Sequence, residues 1–220
     1  MKLVVFDMDG TLIDTHGLIT EQMGRAFTSL GLEAPTVEAS RRVIGLSLPV
    51  AIGQLAGSED ADLVGRLVES YRTLYRASLT ESADREPLFP GTREALDRLR
   101  GDDSAILGIA TGKGLTGVNR ILGIHGLAGH FSTLQTPDHN PSKPHPGMLL
   151  RAMSETGAET AETIMIGDTT FDIQLANAAG VRSIGVSWGY HDREELVAAG
   201  ATLMIDRYDD LDAAIASLLE

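Results

Sequence analysis

Cysteine is absent from all 220 residues, which excludes disulfide staples, a thiolate nucleophile and cysteine-ligated zinc or iron–sulfur centres. Any covalent catalysis must use another nucleophile. Long apolar runs are missing too: nothing reaches the roughly 18 uninterrupted apolar residues that a membrane span needs. The N-terminus passes from Lys2 straight into a strand that ends on acids, without the apolar run and small-residue cleavage site of a secretory signal, so a cytoplasmic location is expected. Positive charge is scarce. Eighteen Lys and Arg face 31 Asp and Glu, a formal net charge of −13, which argues against nucleic acid as a partner. No lysine occurs between Thr15 and Glu86, and no internal repeat is visible.

What is present has a rhythm. From Phe89 onward apolar runs alternate with helical stretches. "ILGIAT" (106–111), "HFSTL" (130–134), "ETIMIGD" (162–168), "RSIGVS" (182–187) and "TLMID" (202–206) read as strands, and "LDAAIASLLE" as a closing helix. Strands and helices in alternation predict a parallel α/β sheet, Rossmann-like, with helices on both faces. "KLVVF" supplies its first strand. Residues 15–86 break the pattern, with apolar residues recurring at three and four in segments up to "DADLVGRLVESYRTLYRASLTES" and with Gly31 and Gly57 as helix stops. The expected organisation is an α/β core (1–14 and 87–220) interrupted after its first strand by an all-helical insert (15–86).

In such a sheet ligands collect at the carboxyl ends of the strands. There the first strand presents Asp7 and Asp9, the second Thr111 and Gly112, and the fourth Asp168, with Asp172 a turn later. The proline-rich loop "TPDHNPSKPHP" after the third strand carries Lys143. Clustered carboxylates repel one another and a divalent cation relieves that repulsion; oxygen ligands suit Mg²⁺. Lysine and a threonine hydroxyl would hold phosphate oxygens, and an ionised aspartate can attack phosphorus. These residue types fit a metal-assisted phosphoryl transfer. Because strand positions two apart share a face, Asp7 and Asp9 are expected to reach a common ligand if strand geometry persists that far, with Gly10 and Thr11 forming the turn beyond.

"DMDGTLIDT", "IATGK", "SKPHPG" and "IGDTTFD" together resemble the four signature motifs of the haloacid dehalogenase superfamily, in their usual order, and the residues after them resemble its phosphoglycolate phosphatase-like branch. The resemblance implies Asp7 as nucleophile and Asp9 as general acid/base. It implies Mg²⁺ held by the side chains of Asp7 and Asp168 and the backbone carbonyl of Asp9, with Asp172 acting through water or by orienting Lys143. Thr111, the Gly112 N–H and Lys143 would bind the phosphoryl group, and the insert would be a helical cap that chooses a small phosphorylated metabolite. For that choice His16, Arg41, Arg42 and Ser47, the last in the "IGLSLP" loop, are the candidates. An acid at position 9 favours ester hydrolysis or transfer over dehalogenation. A β-phosphoglucomutase-type phosphomutase and a non-enzymatic phospho-aspartate switch share the core residues and stand as alternatives.

Overall fold

Four consecutive apolar residues belong in a strand covered on both faces, and Leu3 to Phe6 are fully buried. The computed structural model describes residues 1–79 and 85–219. Its centre is β1 (Lys2–Phe6), from which Val4 and Phe6 enter one apolar layer while Leu3 and Val5 enter the other, as a two-residue period requires. β2 (Ala105–Ala110) and β4 (Thr163–Gly167) pair with it on either side. β3 (Thr133–Gln135) lies outside β2, and β5 (Arg182–Val186) and β6 (Leu203–Ile205) lie beyond β4, giving a six-stranded parallel sheet of order β3-β2-β1-β4-β5-β6. The chain therefore reverses direction of travel between β1 and β4, the position at which an open α/β sheet leaves a crevice at its carboxyl edge.

Among the described residues the insert after β1 forms four helices: α1 (His16–Ser29), α2 (Val37–Arg42), α3 (Leu48–Ala56) and α4 (Ala61–Leu79). They share an apolar centre of their own, with Met23, Phe27, Ile52, Leu67, Val68 and Tyr71 buried together. Gly57 ends α3 in the left-handed conformation at φ 57°, the role its sequence position suggests. The two strands of linker run side by side: Asp14 N–H donates to Pro87 O at 2.8 Å and Phe89 N–H to Leu12 O at 3.0 Å. The core helices are α5 (Thr92–Arg100), α6 (Leu115–Ile124), α7 (Gly147–Thr156), α8 (Thr170–Ala179), α9 (Arg193–Ala198) and α10 (Leu211–Leu219). Among the described residues no helix is long and apolar enough to cross a membrane.

Three sequence expectations shift. β3 starts at Thr133 rather than His130, because only Thr133–Gln135 find partners on β2, and the His130 ring instead bonds Asp97 at 3.0 Å. Thr80, Glu81 and Ser82, which the apolar periodicity includes in the last cap helix, lie outside the described residues, as does Glu220 of the closing helix. Strand geometry also does not persist to Asp9. β1 ends at Phe6, and Leu12 and Ile13 N–H both turn back to Met8 O at 2.9 and 3.0 Å, so the shared-face argument for Asp7 and Asp9 does not apply. Gly10 makes that turn possible at φ 90°, and a Cβ there would lie 2.1 Å from Asp168 Oδ2.

Candidate active site

The carboxyl edge of the sheet gathers three buried acids and one buried lysine. Lys143 Nζ, fully enclosed, lies 3.0 Å from Asp7 Oδ1 and 2.5 Å from Asp172 Oδ1. The second oxygen of Asp172 accepts the Thr169 N–H at 3.0 Å and hydroxyl at 2.8 Å, a capping box that fixes the start of α8. With both its oxygens occupied, Asp172 orients the lysine. Asp168 is held from two sides, by the Thr11 hydroxyl at 2.8 Å and the Tyr190 N–H at 2.9 Å. Asp7 differs: Oδ1 takes the Met8 N–H at 2.7 Å and the lysine, whereas Oδ2 is buried without a hydrogen-bond partner among the described residues.

Three carboxylates against one ammonium leave the cluster with uncompensated negative charge. Burial, only partly offset by Lys143 and reinforced by Asp172 and Asp9, pushes the Asp7 carboxyl up to about 7. Burial, then Asp172 and Asp7, raise Asp168 as well. For Lys143 burial pulls downward, but Asp172 and Asp7 together outweigh it and the net shift is upward. Carboxylate oxygens of Asp7, Asp168 and Asp172 lie within 4.8 Å of one another. Three buried carboxylates this close, with one ammonium between them, are what a divalent cation would satisfy, so the residues present fit one.

Asp9 lies to one side of this cluster. Its Oδ1 accepts the Thr15 hydroxyl at 2.7 Å and the Lys113 ammonium at 3.1 Å, and Thr15 in turn meets the Tyr190 hydroxyl at 3.2 Å. Thr111 is buried, its N–H tied to Gln135 O at 3.0 Å. Gly112 sits directly under the cap loop: a Cβ there would lie 2.3 Å from Leu46 O and 2.6 Å from Gly45 O. Asp7, Lys143, Asp168 and Asp172 therefore meet directly, while Asp9, Thr111 and Gly112 stand beside them past the ends of β1 and β2.

A chain match over residues 4–186 to the haloacid dehalogenase-like hydrolase model covers all of these motifs. The chain belongs to the haloacid dehalogenase-like hydrolase family. It is an enzyme of the hydrolase type, in the phosphoglycolate phosphatase-like branch of that superfamily. It is 37% identical over 221 residues to "Probable phosphatase IndB" of Dickeya dadantii, spanning 99% of this chain and 95% of that one. It is also 31% identical to a phosphoglycolate phosphatase of Pseudomonas putida, over 93% of this chain and 76% of the relative. The crystal structure of a hydrolase from Pseudomonas syringae shares the fold, with a TM-score of 0.87 at 24% identity over the full length of both chains.

The cap residues singled out from this haloacid dehalogenase-like sequence sit in different places. Ser47 N–H donates to Ser142 Oγ at 2.9 Å, pinning the cap loop beside Lys143. His16 packs on the Tyr190 ring, centroids 5.8 Å apart, and its Nε2 is buried without a partner among the described residues. Arg41 reaches the Gly189 carbonyl at 3.5 Å. Arg42 grips both carboxylate oxygens of Glu195 on α9.

Sequence reasoning missed Lys113, Thr15 and Tyr190. Lys113 stands two residues past Thr111 in the motif "IATGK", at the same strand end. Tyr190 follows β5, whose carboxyl end lies on the same edge as the others. Tyr75 and Glu86, which adjoin Lys113, carry no local signal, because only the folded cap brings them there.

Proposed function

We propose that this hydrolase is a Mg²⁺-dependent phosphatase for a small phosphate monoester, with phosphoglycolate as the first candidate. The observation that carries the reading is the buried, unpartnered Oδ2 of Asp7, beside a lysine that holds the other oxygen. That oxygen is free to attack phosphorus, forming a bond to Asp7 as the ester P–O bond breaks and the departing oxygen takes a proton delivered by Asp9. Water then attacks the aspartyl-phosphate, Asp9 takes the water's proton, and the P–O bond to Asp7 breaks to release phosphate. Thr111, the Gly112 N–H and Lys143 bind the phosphoryl oxygens throughout. Asp7 and Asp168, with the Asp9 carbonyl, would hold Mg²⁺, which supplies charge neutralisation between carboxylates and phosphoryl group.

The cap, taken as residues 15–86, closes over this centre and excludes bulk water. His16 and Ser47 are its proposed specificity residues, and Arg41 and Arg42 act by seating the loop between them. Phosphoglycolate comes first because relatives such as that of Pseudomonas putida carry the name, while the Dickeya dadantii relative is named only as a phosphatase. A panel of small phosphomonoesters with Mg²⁺, read by release of inorganic phosphate, tests the reading; a phosphomutase would release little. Asp7→Asn is expected to abolish release while leaving the fold intact. Undiminished Mg²⁺-dependent release by that variant would overturn the assignment of the nucleophile.

A further inference from the structure

Lys113 is buried between the acid/base and the cap. Its Nζ lies 3.1 Å from Asp9 Oδ1, 3.5 Å from the Tyr75 hydroxyl and 5.3 Å from the centre of the Tyr75 ring. Tyr75 belongs to cap helix α4, and its hydroxyl donates to Glu86 Oε1 at 2.5 Å. Glu86 stands on the linker returning from the cap and is only 2% exposed. Its other oxygen pairs with Arg120 of core helix α6, and its carbonyl accepts His125 Nε2 at 2.8 Å. Cap helix, returning linker and core helix are thus joined through one buried carboxylate, and the ammonium next to that joint touches Asp9.

We propose that Tyr75 and Glu86 are positioning residues for Asp9, acting through Lys113, so that the acid/base is set in place only while the cap is seated. The inference rests on the phosphatase reading above. Both fixed contacts to Asp9, from Thr15 and from Lys113, land on Oδ1. That leaves Oδ2 as the oxygen for proton transfer, with its direction determined by the two anchors. A lysine on four flexible carbons has rotamer freedom to lose; the Tyr75 ring face and hydroxyl restrict it, and Glu86 fixes the tyrosine. A network that only closed the hinge would have no need for a cation aimed at Asp9.

Leaving-group protonation matters for an alcohol and little for a nitrophenolate, which departs unaided. The test therefore measures first-turnover release of the leaving group by the Mg²⁺-loaded full chain, from p-nitrophenyl phosphate and from the best alkyl ester of the panel. Tyr75→Phe keeps the ring and removes the hydroxyl. It is expected to slow the alkyl ester roughly tenfold or more with KM changed less than about threefold, and p-nitrophenyl phosphate less than about twofold. Glu86→Gln should show the same selectivity, and it provides a second decision if either variant folds poorly. An equal slowing of both esters, a change confined to KM, or no change in the folded variants overturns the inference and leaves the phosphatase reading intact. A wild-type chain that cleaves no ester overturns that reading, and this inference with it.

Discussion

Arg42 of the cap holds Glu195 of the core through two parallel contacts, Nη1 to Oε2 and Nη2 to Oε1, at 2.5 Å each. The guanidinium lowers the Glu195 carboxyl to about 2, so the pair stays charged above the ordinary glutamate range and is lost as pH falls toward that value. Both groups remain partly exposed, and screening limits such a pair to about 0.5–1 kcal/mol. With the cation committed to Glu195, we expect the pair to seat the loop that lies over Gly112.

Arg42→Gln and Glu195→Gln are accordingly expected to raise KM to the same extent, roughly two- to fivefold. The double variant should be no worse than either single one, and the effect should shrink in high salt. Steady-state kinetics of the three variants check this. A much larger effect of Arg42→Gln than of Glu195→Gln would instead mean that the arginine touches substrate.

Gly112 offers a sharper probe of the same docking. A methyl group there would meet the backbone oxygens of Leu46 and Gly45, which have no flexible end to swing aside. In Gly112→Ala the cap loop must lift from the carboxyl edge of the sheet. We expect kcat/KM to fall at least ~10-fold, equivalent to ~1.4 kcal/mol. The melting temperature should stay within about 3 °C, since cap and core each keep their own apolar centre. Unchanged kcat/KM would show that catalysis proceeds without that contact.

The parts of this molecule legible in the sequence are those whose signal is local. Leu3 to Phe6 form a run that only a doubly covered strand accommodates, and Asp7, Thr111 and Asp168 each stand where a strand ends, with Lys143 in the loop that follows β3. The acids and lysine could be assembled on paper because a parallel sheet puts all those ends on one edge. Lys113 sat inside a quoted motif but had no partner until Tyr75 and Glu86 arrived, 38 and 27 residues away in the chain. Arg42 was conspicuous as a cation beside the cap loop. Its commitment to Glu195 depends on α9 lying against the cap, and no periodicity encodes that. The direction of the Asp9 side chain was lost for another reason: β1 ends at Phe6, and the chain leaves strand geometry before it reaches position 9.

The acid cluster itself predicts how the metal-free protein responds to pH. Burial and neighbouring acids hold Asp7 near 7 in the folded chain, against 3.8 for an ordinary aspartate. A raised acid keeps its proton in the folded state when the unfolded chain has already released it. Unfolding is then favoured by ionisation, and stability falls as pH rises from about 4 to 7. Exposed pairs such as Arg42–Glu195 act in the opposite sense, since a lowered acid stabilises the fold above its ordinary pKa. The comparison must therefore be between wild type and Asp7→Asn. In chelator, the melting temperature of wild type relative to that variant is expected to drop by about 5 °C or more between pH 5 and pH 7.5. Saturating Mg²⁺ should remove the drop, because a cation binding the ionised cluster of the folded chain stabilises it more as protons leave. Parallel melting curves for the two proteins across that range, in chelator, would show that Asp7 carries no excess burden of charge.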